Sequence, residues 1–245
     1  MTIPKIDVPI YDITLPSTGK NIKIRPFLVK EEKLLLMAIE SKDNDNIIKT
    51  TKQVINNCIV SGDLDLEKIP FFDVDYLFIA LRAKSIGENI ETSYVCNNVV
   101  DGNKCGGVFD AVIDISNCVI EKKDDISMDI ALSNKIDIKM KYPSYSIMKM
   151  ITGNESNFQK KIRVISSCIE RITSGNKTYS SKDFSKEELV EFIEGLTSEQ
   201  YVKLENFVDN LPSFSIKSGG VCGKCGSIMR LNTRTLPVFF SNAWP

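Results

Sequence analysis

The chain has 245 residues, of which 42% are hydrophobic and 26% charged, and its formal net charge is −1. These values are ordinary for a soluble globular protein with a sizeable core, and they give no basic excess that would indicate nucleic acid as the main partner. No run approaches the ~20 apolar residues of a membrane span. Histidine is absent, which excludes Ser-His-Asp, Cys-His and histidine-held zinc sites within this chain.

The N-terminus bears on the compartment in which the protein folds. Met1–Pro9 carries Lys5 and Asp7 and lacks an apolar secretion signal, so we expect the protein to stay in the cell that makes it. Thiols there are mostly reduced, and cysteine pairs are more often metal ligands than disulfides. Seven cysteines, an odd number, also fit a disulfide framework poorly.

The N-terminal third predicts a β-hairpin followed by three helices. Ile6–Leu15 and Asn21–Arg25 alternate as strands around a turn at Pro16–Gly19. The predicted helices are Val29–Glu40, a second one from about Ile47 that Ser61-Gly62 ends, and a third with Asp73 as N-cap and Gly87 as stop.

Strand and helix periods alternate in the rest of the chain. The predicted strands are Ile90–Val95, Val108–Ile113, Val119-Ile120, Ile136–Met140, Ser213–Lys217 and Ile228–Leu231, with a turn at Gly219-Gly220. One long helical stripe is predicted through Phe158, Ile162, Ile165, Ile169 and Ile172. Capping boxes at Ser185-x-x-Glu188 and Thr197-x-x-Gln200 predict two more helices.

This order of elements predicts an α+β fold with its strands clustered near the cysteines and with inserted and flanking helical subdomains. We expect four parts. They are 1–88, a hairpin plus helices; 89–142 with 212–236, a β part; 143–211, an inserted helical subdomain; and 237–245, an aromatic tail.

Four of the cysteines form a metal-site pattern. Cys222 and Cys225 make a CxxC followed by glycine, and Cys96 and Cys105 make a second, wider pair that is also followed by glycine. Each pair lies between two predicted strands, as in a zinc ribbon, where two hairpin tips each give two thiolates to one tetrahedral Zn²⁺. The stretch Gly106–Val221 between the pairs far exceeds the 15–20 residues or so of a simple ribbon. The sequence therefore predicts one structural zinc site formed by two distant β-hairpins.

Alternative roles remain for the cysteines. The CxxC could form a disulfide or a reactive thiol pair, although a redox CxxC normally opens a helix. We expect Cys58, Cys118 and Cys168 to pack in the core. A zinc ion with four thiolates has no open position for a water molecule, so the predicted site ties the chain together and does no chemistry.

Two further features are candidates for contacts. Arg82 lies beside an apolar helix stripe, where its guanidinium could fork onto carbonyls or a carboxylate, or snorkel to solvent. The tail contains Phe239, Phe240 and Trp244, and aromatic anchors are enriched at interface hot spots. We expect these three residues either to bind a partner or to fold back on the core.

Three stretches of the N-terminal third carry a family resemblance: Tyr11–Lys20, Ile24–Ala38 and Tyr76–Glu88. Through them the sequence resembles the baseplate hub proteins of T4-like bacteriophages, and the resemblance continues more loosely through the cysteine hairpins to the tail. It implies a structural component or assembly factor of the central hub of a contractile-tail baseplate, which would be assembled in the host cytoplasm and act in the virion tail. It also implies other baseplate and tail proteins as partners, and no catalysis.

Two other classes of function remain open. A zinc-ribbon nucleic-acid-binding module would use Lys104, Lys217, Lys224 and Arg230 near the predicted metal site. A thiol-disulfide enzyme would need a metal-free, reactive CxxC. We expect no small-molecule substrate and no membrane span.

Overall fold

The computed structural model describes residues 6–121, 126–147 and 156–233. The helices are α1 Val29–Glu40, α2 Asn44–Cys58, α3 Phe71–Ser85, α4 Asn157–Cys168, α5 Lys186–Glu194 and α6 Ser198–Asp209. The strands are β1 Tyr11–Thr14, β2 Asn21–Ile24, β3 Ile59–Ser61, β4 Asn89–Val95, β5 Val99–Val100, β6 Asn103–Lys104, β7 Val108–Asp114, β8 Val119–Glu121, β9 Asp129–Ser133, β10 Ile136–Met140, β11 Ile169–Ser174, β12 Lys177–Ser180, β13 Ser213–Val221 and β14 Ile228–Thr233. The predicted α+β class is confirmed, and none of these helices is long and apolar enough to cross a membrane.

The chain divides into two compact units. Unit 1 contains Met1–Asp63, Asp75–Glu121 and Ser213–Pro245, and unit 2 contains Leu64–Val74 and Lys122–Pro212. Both units are discontinuous in sequence, because a long stretch of unit 2 is inserted between β8 and β13, which pair as antiparallel neighbours in unit 1.

The hairpin and the helices at the start of unit 1 follow the prediction closely. β1 and β2 pair antiparallel, and α1 spans the predicted residues. The predicted end of the second helix was wrong: α2 stops at Cys58, and Ile59–Ser61 forms β3, which pairs with β2. Asp73 is not an N-cap, because α3 already begins at Phe71; its side chain is buried in the first turn.

A buried ion pair fixes the hairpin to the helices of unit 1. The guanidinium of Arg25 binds the fully buried carboxylate of Glu31, with Nη2 at 3.0 Å from Oε1, and also donates to the carbonyl of Asn57 at 2.8 Å. Glu31 in turn accepts the backbone N–H of Leu28 at the start of α1. These contacts give a structural reason for the Arg-Pro-Phe-Leu-Val-Lys-Glu stretch within the resemblance.

The central strands of unit 1 were also predicted correctly. β4 pairs with β7 along its whole length, and β13 pairs with β14. The predicted Gly219-Gly220 turn was wrong, since both glycines lie inside β13. A Cβ atom at Gly220 would lie 2.7 Å from the ring of Phe109, so glycine is needed there for close packing rather than for a turn.

Unit 2 contains a four-stranded sheet in the order β12-β11-β10-β9 and a helical layer. The predicted long helix was wrong: α4 ends at Cys168, and Ile169 and Ile172 belong to β11, which pairs with β10. Both predicted capping boxes are confirmed at the starts of α5 and α6. The core of unit 2 lies between sheet and helices and includes Ile138, Ile165, Cys168, Leu189 and Leu204.

The two units repeat one structural pattern. In each unit, a hairpin precedes a helix that ends at a cysteine, and a strand begins at the next residue. This strand pairs with the second strand of the hairpin. The pairing has a register irregularity next to Ile24 in unit 1 and next to Met140 in unit 2. The first residue after the hairpin donates its backbone N–H to the carbonyl of that cysteine, at 2.9 Å from Arg25 to Cys58 and 2.7 Å from Lys141 to Cys168. The shared hydrogen bond makes Lys141 the counterpart of Arg25.

Three residues singled out from the sequence have defined environments. Cys58 and Cys168 are fully buried, as predicted for core thiols, whereas Cys118 is only half-buried. Arg82 does not snorkel to solvent: it is buried, and its Nη1 donates to the carbonyl of Gly87 at 3.0 Å. The snorkelling alternative is therefore wrong, and the expected contact with a carbonyl is present at Gly87.

Candidate metal centre

Two hairpins of unit 1 bring four cysteines together. Cys96 and Cys105 come from the connection between β4 and β7, and Cys222 and Cys225 from the turn between β13 and β14. The four Sγ atoms lie within 4.8 Å of one another, and all but the half-buried Cys225 are buried. The structure therefore gathers the four cysteines that the sequence singled out.

The spacing of the sulfurs matches a tetrahedral metal site. The Sγ atoms of Cys96 and Cys225 are 3.7 Å apart, and those of Cys105 and Cys222 are 3.8 Å apart. A tetrahedron with Zn–S bonds of about 2.3 Å has S···S edges of about 3.8 Å, whereas a disulfide needs about 2.05 Å. These pairs join one hairpin to the other, so a metal ion here would link segments that are far apart in the chain.

A small hairpin explains the wide spacing of the first cysteine pair. β5 and β6 pair antiparallel around Asp101 and Gly102, which both have positive φ, as a type I′ hairpin turn requires. The base of this hairpin is closed where the N–H of Gly106 donates to the carbonyl of Cys96 at 3.0 Å. The eight intervening residues thus project as a hairpin and leave the two thiols adjacent.

Peptide N–H groups stabilise the thiolate form at each hairpin. The N–H of Ser227 lowers the pKa of Cys225 to about 6, and the N–H groups of Cys225 and Lys224 lower the pKa of Cys222. At Cys96 the N–H of Asn98 acts in the same direction, but burial and the neighbouring thiols raise the pKa to about 11. These pKa shifts favour ionisation of Cys222 and Cys225 but oppose ionisation of all four thiols at once. A bound divalent cation would stabilise the fully ionised cluster.

Glycines allow the chain to turn around the sulfurs. Gly106 and Gly226, each directly after a cysteine, adopt φ of +62° and +67°, which favours glycine. Gly107 was missed. A Cβ atom there would lie 2.8 Å from the Sγ of Cys222 and 2.9 Å from the Cβ of Lys224, so this position has no room for a side chain.

Two polar side chains were also missed as supports of the site. The side-chain amide of Asn98 lies 3.8 Å from the Sγ of Cys225, and the ammonium of Lys224 donates to the carbonyl of Cys105 at 2.7 Å. Both contacts cross from one hairpin to the other. No spacing rule would have identified them, because their partners lie more than a hundred residues away in the sequence.

The geometry also bears on the alternatives. The CxxC lies in a strand-to-strand turn rather than at the start of a helix, which disfavours a redox role. Lys224, one of the cations expected for a nucleic-acid-binding module, is engaged with a backbone carbonyl. Phe239, Phe240 and Trp244 lie outside the described residues.

The fold and the cysteine cluster define a two-unit α+β protein with a candidate structural metal centre. The family model described as "T4 bacteriophage base plate protein" matches residues 8–241, and the chain belongs to this family. Neither the curated proteins nor the solved structures gave a match. Membership implies interaction with other baseplate proteins and a place in the virion tail.

Proposed function

We propose that the protein is a non-catalytic structural component or assembly factor of the central hub of a contractile-tail baseplate, and that one zinc ion at Cys96, Cys105, Cys222 and Cys225 holds its two cysteine hairpins together. The observation that carries the zinc site is the sulfur geometry, with cross-hairpin distances close to a Zn–S tetrahedron. The site has four protein ligands, so it leaves no position for a catalytic water.

The chemistry of the ligands supports zinc over harder ions. Thiolates select Zn²⁺ or iron, whereas Mg²⁺ and Ca²⁺ take oxygen ligands, and a cluster of four sulfurs within 4.8 Å is too compact to surround an iron–sulfur cluster. The ion would contribute to folding of unit 1, because the site is complete only when the β13–β14 hairpin packs beside β7, where Gly220 of β13 lies against Phe109.

The hub role rests on the resemblance and agrees with family membership. Assembly in the host cytoplasm and contact of Phe239, Phe240 and Trp244 with other hub proteins are parts of the same proposal. Changing these three residues to alanine would then weaken capture of baseplate proteins while leaving zinc content and thermal stability unchanged.

Deletion of the gene in the phage that carries it tests the function. We expect tails without functional baseplates, and restoration by the wild-type protein supplied from a plasmid. Mass spectrometry of purified virions distinguishes the two roles, because a structural subunit would be present in the virion and an assembly factor would not. Normal infectious tails in the deletion would contradict the proposal, and salt-sensitive binding to a DNA or RNA oligonucleotide would favour the zinc-ribbon alternative.

A further inference from the structure

A groove on the surface of unit 2 is lined by lysines. It has a volume of about 590 Å³, and its lining includes Lys68, Lys141, Lys182 and Lys186 against one carboxylate, that of Glu67. Lys68 is already paired with Asp65. Lys141, Lys182 and Lys186 form no ion pair with any described residue, whereas Lys139, Lys161 and Lys203 elsewhere in this unit are paired.

The structural repeat shows what the groove lacks. Lys141 is the counterpart of Arg25, whose guanidinium is neutralised by the buried carboxylate of Glu31 six residues later. Residues 142–154 contain no aspartate or glutamate, so the segment after Lys141 has no equivalent acid. Asn57 and Cys58, beside the Arg25 pair, correspond to Ser167 and Cys168, and Ser167 lines the groove. The groove thus lies where unit 1 holds its own counter-charge.

The groove also offers apolar contacts and a hydroxyl donor. Its lining includes Phe184, Leu189 and Ile169. The hydroxyls of Ser144 and Ser146 are 2.7 Å apart and bond to each other, which uses one of their two hydrogens and leaves the other for an acceptor. A carboxylate flanked by aliphatic side chains would therefore find complementary groups in this groove.

We propose that this groove binds an acidic, partly apolar segment of a partner protein, with a carboxylate of that segment beside Lys141 in the role that Glu31 plays for Arg25. The inference rests on the proposed structural function for the class of partner. A long polyanion fits less well, because the adjoining surface beyond Lys186 carries the carboxylates of Glu187, Glu191 and Glu194 against one guanidinium, that of Arg163. A nucleic-acid strand leaving the groove on that side would meet these carboxylates.

Fluorescence anisotropy with a labelled peptide tests the proposal on the full chain. The probe is a fluorescein-labelled peptide in which glutamate alternates with leucine, compared with a glutamate–glycine peptide and an oligo-dT strand. Lys141→Glu and Lys182→Glu reverse charges in the groove, and Lys135→Glu makes the same change on an exposed turn outside it. Melting curves confirm that each variant is folded.

We expect saturable binding of the glutamate–leucine peptide, at least about tenfold weaker for each groove variant and unchanged for Lys135→Glu. Equal binding of the glutamate–glycine peptide would overturn the apolar part of the proposal. Preferential, lysine-dependent binding of oligo-dT, or no binding of either peptide, would overturn it altogether. Zinc content and virion assembly are measured in separate experiments. A negative peptide-binding result would therefore overturn the groove proposal without bearing on the proposed structural function.

Discussion

Adding a single methyl group beside the candidate metal centre tests whether the four sulfurs are packed as tightly as the structure shows. In Gly107→Ala the new Cβ would lie 2.8 Å from the Sγ of Cys222, 2.9 Å from the Cβ of Lys224 and 3.4 Å from the Sγ of Cys105. Real Cβ contacts below 3.0 Å are essentially absent, so the turn at Cys222–Cys225 must move away from the first hairpin.

The magnitude follows from the size of this clash. Overpacking by one carbon costs about 2 kcal/mol, which corresponds to a fall of roughly 4–8 °C in the melting temperature for a chain of this length. Displacing a ligand turn also weakens the metal site, and we expect about a 10- to 100-fold loss of zinc affinity, the range seen when supporting groups of metal sites are changed.

Gly223→Ala is the matched control. It adds the same methyl group inside the CxxC, where a Cβ atom would have nothing within 4 Å. Zinc affinity is measured by competition with a chromogenic chelator, and stability by thermal unfolding of the zinc-loaded protein. Equal zinc affinity and melting temperature for Gly107→Ala and Gly223→Ala would refute the close packing of the two hairpins.

Three further predictions concern the buried ion pair, a helix cap and the thiols. Arg25→Met should cost about 3 kcal/mol in urea unfolding, because the buried Glu31 would keep only the exposed ammonium of Lys30, at 3.6 Å, and adding Glu31→Leu should recover part of that loss. Burial raises the pKa of Glu31, but the hydrogen bonds from Arg25 and from the Leu28 N–H outweigh it and lower the pKa below 4.5. The stability that ionised Glu31 contributes is therefore complete above pH 4.5 and is lost as the pH falls through the folded-state pKa. Glu31→Gln should remove this part of the acid sensitivity. Ser185→Ala should cost about 1 kcal/mol by breaking the capping box of α5. A chelator should release four thiols to a thiol reagent, while Cys58 and Cys168 stay protected as long as their units remain folded.

Each of these predictions has a clear contrary result. The ion-pair account fails if Arg25→Met unfolds at the wild-type urea concentration, or if Glu31→Gln keeps the wild-type acid dependence. Ser180→Ala, at the cap of a single 3₁₀ turn, should matter less than Ser185→Ala, and the reverse order would be evidence against the assigned cap. The same number of reactive thiols with and without chelator would contradict a metal held by cysteines.

The sequence predicted local structure well where the local signal was also the deciding one. The turn at Pro16–Gly19 and the capping boxes at Ser185 and Thr197 depend on neighbouring residues, and they are confirmed. The α2–β3 and α4–β11 boundaries were missed, because the isoleucines that follow Cys58 and Cys168 fit a helical stripe as well as a strand. The choice between helix and strand is decided by pairing with a strand distant in sequence, β2 for β3 and β10 for β11.

The candidate metal site was likewise predicted where the signal is local and missed where it depends on distant residues. Residue type and the following glycines identified Cys96, Cys105, Cys222 and Cys225, and the structure brings them together. Gly107 could not be identified, since its need for glycine comes from a hairpin far along the chain. The structural pattern that units 1 and 2 share could not be found as a sequence repeat of fixed period. The two units have the same backbone hydrogen bond and strand pairing, but the residue spacing differs.

Metal content per purified chain, measured by mass spectrometry for the wild type and for Cys222→Ser, tests the central claim most directly. We expect about one zinc ion per wild-type chain, and loss of that zinc together with a lower melting temperature in Cys222→Ser. A wild-type chain that is folded, free of zinc and has four titratable thiols in the cysteine cluster would contradict a zinc-stapled baseplate protein.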